Sequence, residues 1–245
     1  MLYWLANLVF QSDFLKEIRE ILKDRKKIIV VDVGCYKGVF TEKILKILKG
    51  KIKHAYLFDI NKKVKKYIGN LIREKNISYN ELALTKTSGI SFYNYNKFFE
   101  SAGSSLSNLV KNDRKWNLSR RVLIGNFKKK DSGYSKYRVK TSTLDNFVKK
   151  NKIKYIDICK VDIEGTELDF LLGSRNTLKE NKIRILSIEI MESKDKFYFK
   201  EKKIKDFLMK NNFKLIKKNK IRSISFLSNL QGGDYLFIND RYQLN

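Results

Sequence analysis

The chain has 245 residues, 42% of them hydrophobic, and carries a net charge of +27 from 53 Lys and Arg against 26 Asp and Glu. That length and apolar content suit one α/β domain with a sizeable core and exclude a disordered chain. Two cysteines, both in or beside expected buried strands, exclude a disulfide framework and a zinc site and suit a reducing cytoplasm.

Met1–Phe10 (MLYWLANLVF) is apolar but has no basic start and no small-residue cleavage site, and it is too short to span a bilayer. It is expected to pack on the domain, with a lid or a weak membrane-surface contact as the other readings. Residues 12–23 repeat apolar side chains at Phe14, Leu15, Ile18, Ile21 and Leu22, the spacing of a one-faced helix capped by Ser12. Residues 1–27 thus form a helical extension. Ile28–Val31 is an unbroken β-branched run that a strand buried on both faces requires. A glycine turn and a helix over Thr41–Lys49 follow it.

Further elements follow in alternation. His54–Ile60 is a strand, Asn61–Glu74 a helix, and Ile77–Leu84 a third strand. Ile90–Tyr95 and Tyr137–Thr141 read as short, half-exposed strands. The polar stretch between them is too long for an idle loop, so about 88–142 is read as an insertion over the substrate side. Thr143–Lys150 is a helix and Tyr155–Ile163 a buried strand. Thr166 with Asp169 has capping-box spacing and opens a helix through Leu178. Ile183–Ile190 is a strand and Lys202–Lys210 a helix. Phe213–Lys217 and Tyr235–Asn239 are late strands, joined by a loop holding Gly232 and Gly233. Such alternation gives a mainly parallel sheet with helices on both faces.

Chemistry gathers at the strand ends. In an open parallel sheet the ligand sits outside the carboxyl ends of the strands, and Asp32, Asp59, Asp162 and Glu189 each end one. The turn after Asp32 carries Gly34 and Gly38 but lacks the third glycine of G-x-G-x-x-G, which counts against a nicotinamide dehydrogenase. A carboxylate two residues before the first glycine repels a pyrophosphate and attracts a cation. S-adenosylmethionine, with a sulfonium, an ammonium and no phosphate, is the ligand this turn suits. Gly34 is expected to let that ligand approach the backbone. Asp59 lies near the roughly 20-residue offset at which an acid holds ribose hydroxyls.

Val31-Asp32-Val33-Gly34 with Gly38, Phe40 and Thr41 resembles the first motif of class I S-adenosylmethionine-dependent methyltransferases. Glu81-Leu82-Ala83-Leu84 with Ser88-Gly89, Ser104-Ser105-Leu106, Thr143-Leu144-Asp145, and above all Lys160-Val161-Asp162-Ile163-Glu164-Gly165-Thr166-Glu167 resemble the FkbM-type methyltransferases over roughly residues 28 to 190. The resemblance departs at Tyr36, where this family often has Asn. It implies a Rossmann-like seven-stranded sheet and methyl transfer to a hydroxyl of a sugar, glycan or glycolipid precursor or a related small molecule. It also implies site residues. Asp32, Gly34, Cys35, Tyr36, Gly38, Phe40 and Thr41 would surround the methionine end, and Asp59 the ribose. Ile60 and Asn61 would lie near adenosine, Glu81, Leu82 and Ala83 would flank adenine, and Asp162 would sit by the transferring methyl.

A hydroxyl is a poor nucleophile, so a base is expected. The only histidine, His54, starts its strand and lies at the wrong end of the sheet. Asp162 or Glu164 is then the base, with Glu189 nearby and Lys160 as an electrostatic partner. The same carboxylates suit a divalent cation, and the sequence leaves base and cation both open. The basic residues are spread along the whole chain, so solvated surface is the leading account of the charge. A nucleic-acid methyltransferase, favoured by the charge and by Phe92–Tyr95, and a non-catalytic binding module are the two alternatives.

Overall fold

A computed structural model describes residues 13–97, 104–115, 118, 133–219, 222–223 and 229–242. The apolar Met1–Phe10 segment, the Ser12 cap and most of the long polar stretch lie outside the described residues. Strands β1 (Ile28–Val33), β2 (Ile52–Phe58), β3 (Ile77–Asn80), β7 (Ile156–Val161) and β8 (Ile183–Ser193) form a parallel array in the order β8-β7-β1-β2-β3. Beyond β8 lies the antiparallel β11 (Leu230–Asn239), whose outer edge is shared by β9 (Phe213–Lys218) and β10 (Arg222–Ser223). The sheet therefore has seven positions, four of its pairings being parallel. Gly232 and Gly233 lie inside β11, opposite Met191 and Ile190, rather than in a loop before it.

All six residues of β1 are buried, as a strand covered on both faces demands. Its side chains alternate between two cores. Ile28 and Val30 face α1 (residues 13–21) and α2 (Val39–Ile47), against Phe14, Ile18, Leu22 and Ile44. Ile29, Val31 and Val33 face Phe147, Phe170 and Phe197, carried on α5 (Leu144–Lys150), α6 (Glu167–Leu172) and α8 (Lys194–Met209). Each such side chain contributes roughly 1.5–3 kcal/mol by burial.

Two expected helices are shorter than their periodicity suggests. Asn61–Glu74 holds only α3 (Val64–Tyr67) and a 3-10 turn (Leu71–Arg73), because Gly69-Asn70 interrupts it and a mid-helix glycine costs about 1 kcal/mol. The helix after Thr166 breaks at Gly173-Ser174 into α6 and α7 (Arg175–Lys179). A Cβ on Gly173 would stand 2.0 Å from the Thr85 carbonyl oxygen, so the crossing chain requires glycine there. Asp145 then caps α7, accepting from the Asn176 and Thr177 amides at 3.0 and 2.8 Å. The expected third strand is also divided. Ile77–Asn80 joins the main sheet, whereas β4 (Ala83–Leu84) pairs with β6 (Tyr134–Ser142) in a small sheet of order β4-β6-β5, with β5 Gly89–Asn96.

Gly34 is where β1 meets β7. The Asp162 amide donates to the Val33 carbonyl at 2.9 Å, and a Cβ on Gly34 would lie 1.8 Å from the Asp162 carbonyl oxygen. The close approach that this glycine permits is thus to the neighbouring strand, and its φ of 81° is strained for any other residue. Gly34→Ala is expected to cost more than about 4 kcal/mol, the exceptional range for one substitution, read as a loss of cooperative unfolding or a large fall in Tm.

Candidate active site

Asp32, Asp59 and Asp162 stand at the carboxyl ends of β1, β2 and β7, whereas Glu189, expected to end its strand, lies within β8, which runs on to Ser193 by pairing with β11. On β1 and β7, Asp32 is directly opposite Lys160, and Lys160 is opposite Ser187 of β8. Lys160 Nζ lies 2.8 Å from Asp162 Oδ2 and 5.8 Å from the Phe40 ring centroid. Burial alone would lower the Lys160 pKa. Asp162, Asp32 and Glu189 outweigh it and hold the ammonium above its usual range.

Asp32 is fully buried. Its Oδ2 accepts from Thr41 Oγ1 at 2.7 Å, while Oδ1 has no protein partner. Burial raises its pKa, and Lys160 and Thr41 oppose the rise. Glu189 is raised well above the carboxylate range by burial, then by the charge of Asp162 and a hydrogen bond shared with it. Asp162 thus stands between two partners, the Lys160 ammonium at its Oδ2 and the Glu189 carboxyl group that shares a hydrogen bond with it.

Across β1, Asp59 closes the glycine turn. Its Oδ2 accepts from the Tyr36 amide at 2.9 Å and its Oδ1 from the Asn61 amide at 2.8 Å. Burial pushes its pKa up to about 6, against the lowering by those amides. Tyr36 is held at φ 42°, its ring edge-on to Tyr67 at 5.7 Å, with Lys37 Nζ over both rings. Gly38 caps α2 at φ 73°.

The expected site residues thus separate into two groups. Asp32, Cys35, Phe40 and Thr41 are under 10% exposed and form the floor of the turn. Tyr36, Asp59, Ile60, Leu82, Asp162, Glu164 and Glu189 are partly exposed and form its rim, with Asn61 and Ala83 buried behind them. Glu81 is exposed and pairs with Lys65 at 3.5 Å, where the chain leaves β3 for β4. His54 bonds Ser78 Oγ at 2.7 Å, near the amino end of β2. Both cysteines are free and buried. Among the described residues no group of three His, Cys, Asp or Glu is arranged to hold a metal ion.

The segment Asp162 to Glu167 is shaped by residues that sequence reasoning missed. Thr166 holds the N-cap position of α6, as expected, but its side chain makes no cap bond; its hydroxyl donates to the Ile163 carbonyl at 3.2 Å. The fully buried Glu167 carboxylate instead accepts from the Gly165 amide at 2.6 Å and pairs with Lys200 at 2.8 Å. Lys200 Nζ also donates to the Gly165 and Met191 carbonyls. This clamp holds Glu164 and Gly165 at φ 54° and 103°. From above, Ser105 and Ser107 hydroxyls donate to the Ile163 and Glu164 carbonyls. Tyr93, buried, lies within electrostatic reach of Asp59 and Glu164. Asp234 stands opposite Glu189 in the β11–β8 register. Only the antiparallel pairing of β11 reveals Asp234, and only the fold brings Lys200 to Glu167.

The geometry defines the Rossmann-like fold of class I methyltransferases: a mainly parallel seven-stranded sheet, an acidic residue before a glycine turn, and carboxylates ending neighbouring strands. The Methyltransferase FkbM domain matches residues 32–215, and the chain belongs to that family. It is similar to the methyltransferase FkbM structure from Methylobacillus flagellatus, with a TM-score of 0.50, 13% identity and 86% of this chain covered. The chain spans only 44% of that protein's length. It is also similar, at a TM-score of 0.45 and 12% identity over 93% of this chain and 82% of the other, to a putative RNA methyltransferase from Pyrococcus horikoshii. A putative tRNA methyltransferase from Streptococcus pneumoniae, solved with S-adenosyl-L-methionine, has a TM-score of 0.44 and 10% identity over 95% of this chain and 75% of the other. No curated protein matches the sequence. Among the described residues no helix is long and apolar enough to cross a membrane.

Removing Lys200 leaves Glu167 charged and unpaired in a dry site. Lys200→Met is expected to cost about 3–5 kcal/mol, read as a fall in the denaturation midpoint, whereas the exposed Lys202→Met changes it by less than about 0.5 kcal/mol.

Proposed function

We propose that this chain transfers a methyl group from S-adenosylmethionine to a hydroxyl of a sugar, glycan or glycolipid precursor, acting as one domain over residues 1–245 in a reducing cytoplasm. The observation that carries this reading is geometric: Asp162, paired with Lys160 at 2.8 Å, stands with Asp32 and Glu189 on adjacent parallel strands at the carboxyl side of the sheet.

The residues fit the cofactor's chemistry. Asp32 Oδ1 is a buried acceptor awaiting a donor, and the negative ledge around it favours a cation. Asp59 accepts from the Tyr36 and Asn61 amides and is also lowered by the Ile60 amide, which leaves about one of its roughly four lone-pair sites for a ribose hydroxyl. Tyr36 and Gly38 would bound the methionine end, Ile60 and Asn61 the adenosine, and Glu81 to Ala83 the adenine. S-adenosylmethionine, when bound, supplies an electrophilic methyl on a sulfonium.

The protein's own part is to hold the acceptor oxygen and take its proton. Asp162 receives the hydroxyl proton, and Lys160 offsets negative charge on the acceptor oxygen. Glu189 holds Asp162 by a shared hydrogen bond, and Glu164 bounds the ledge. A cavity of about 530 Å³ lies between the described part of the 88–142 insertion (Leu109, Asn112, Asp113, Arg114) and the segments around Ser193–Asp195 and Asn229–Leu230, and none of the candidate catalytic residues lines it.

Asp162→Asn is expected to keep S-adenosylhomocysteine affinity within a few-fold in calorimetry while turnover falls by about 10²–10⁴, the usual worth of a positioned base; full turnover would remove Asp162 from the mechanism. An ionised Asp59 accepts from the ribose more strongly than a protonated one, and it protonates below about pH 6. Affinity for S-adenosylhomocysteine should therefore weaken about tenfold between pH 7 and pH 5. Asp59→Asn should bind more weakly at both pH values and show little of that slope. An equal slope in the variant assigns the titration to another group.

A further inference from the structure

We propose that the outer face of the β5–β6 hairpin docks on an anionic lipid bilayer. Strand alternation places Ile90 and Phe92 of β5 on one face, and the antiparallel register sets them directly opposite Lys140 and Arg138, with Lys136 next along β6. Ile90 is 62% and Phe92 50% exposed, and all three basic side chains are exposed. Lys136 Nζ lies 4.2 Å above the Phe92 ring. Neither Gly89–Asn96 nor Tyr134–Ser142 contains a single Asp or Glu, so this two-stranded face is uniformly positive.

Two apolar side chains ringed by three cations, with no carboxylate among them, match the boundary where lipid headgroups give way to acyl chains. Lys and Arg reach anionic headgroups, and Ile and Phe enter the layer beneath. A single-stranded nucleic acid needs a row of aromatic faces on which successive bases stack. Here there is one ring, already covered on one side by Lys136, and an isoleucine that offers no π-face. The chain's net charge of +27 reinforces attraction to the same surface.

The test is flotation of the full chain with vesicles of phosphatidylcholine alone and of phosphatidylcholine with phosphatidylglycerol in equal parts, at low and high salt. Two variants accompany it: Lys136→Gln with Arg138→Gln and Lys140→Gln, and Ile90→Ser with Phe92→Ser. All five positions are exposed, and an unchanged Tm verifies folding. The expected result is binding to the anionic vesicles only, weakened by salt. The charge variant should lower partitioning about a hundred-fold and the apolar variant about tenfold. Wild-type protein that ignores the anionic vesicles overturns the proposal. So does binding that survives in the charge variant, which would assign it to another segment such as Met1–Phe10. Stronger retention of poly(U) RNA than of vesicles, lost in the same charge variant, overturns it in favour of a nucleic-acid face.

Discussion

One buried cation organises this site. Lys160 rises from the central strand pair with its side chain 12% exposed, between Asp32 of the neighbouring strand and Asp162 two residues on. A lysine so placed, without partners, would lose its proton to escape the cost of desolvation. Instead the carboxylates around it hold it charged. Its charge in turn opposes protonation of the fully buried Asp32, which Thr41 anchors to α2. The same ammonium pairs with Asp162, whose charge together with burial raises Glu189. Floor and rim are thus one electrostatic unit, and its members come from four elements that only the sheet brings together.

Glycine serves that unit by letting chain segments touch. A ligand need not be what approaches a glycine in a strand–turn–helix: at Gly34 the neighbour is the Asp162 carbonyl, and at Gly173 it is the Thr85 carbonyl. At Gly165 a Cβ would press on Leu109 at 2.9 Å. The first of these contacts fixes the turn after β1 to the segment after β7, and the other two fix that segment and the helix after it to the chain that crosses them. A cofactor turn braced in this way needs no third glycine, because its second side is another strand rather than a pyrophosphate.

The parallel strands were legible because β-branched runs such as Ile28–Val31 and the alternation of strand and helix are local signals. So was the line of Asp32, Asp59 and Asp162, since strand ends fall at one edge of such a sheet by construction; Glu189 joins it from inside β8, which continues to Ser193. What the sequence concealed is non-local. Thr166-x-x-Asp169 has the spacing of a capping box, yet Glu167 takes the work, because Lys200, distant in sequence, makes burial of that carboxylate tolerable. Asn61–Glu74 has helical periodicity that Gly69-Asn70 overrides. Asp234 carries no motif at all, and becomes visible only when β11 pairs antiparallel with β8.

The charge of the chain acquires a direction once the hairpin is in place. Along β5, Tyr93 turns inward toward Asp59 and Glu164, and Phe92, its neighbour, turns outward among Lys136 and Arg138. Period-two geometry therefore sets the acidic ledge and the basic face back to back on one ribbon. The hairpin is also tied to the ledge: Asn94 exchanges backbone hydrogen bonds with Ser105, whose hydroxyl donates to the Ile163 carbonyl beside Asp162. The ribbon is thus fixed, through Asn94, Ser105 and Ile163, to the segment that ends β7, and the acidic ledge and the basic face share one rigid support.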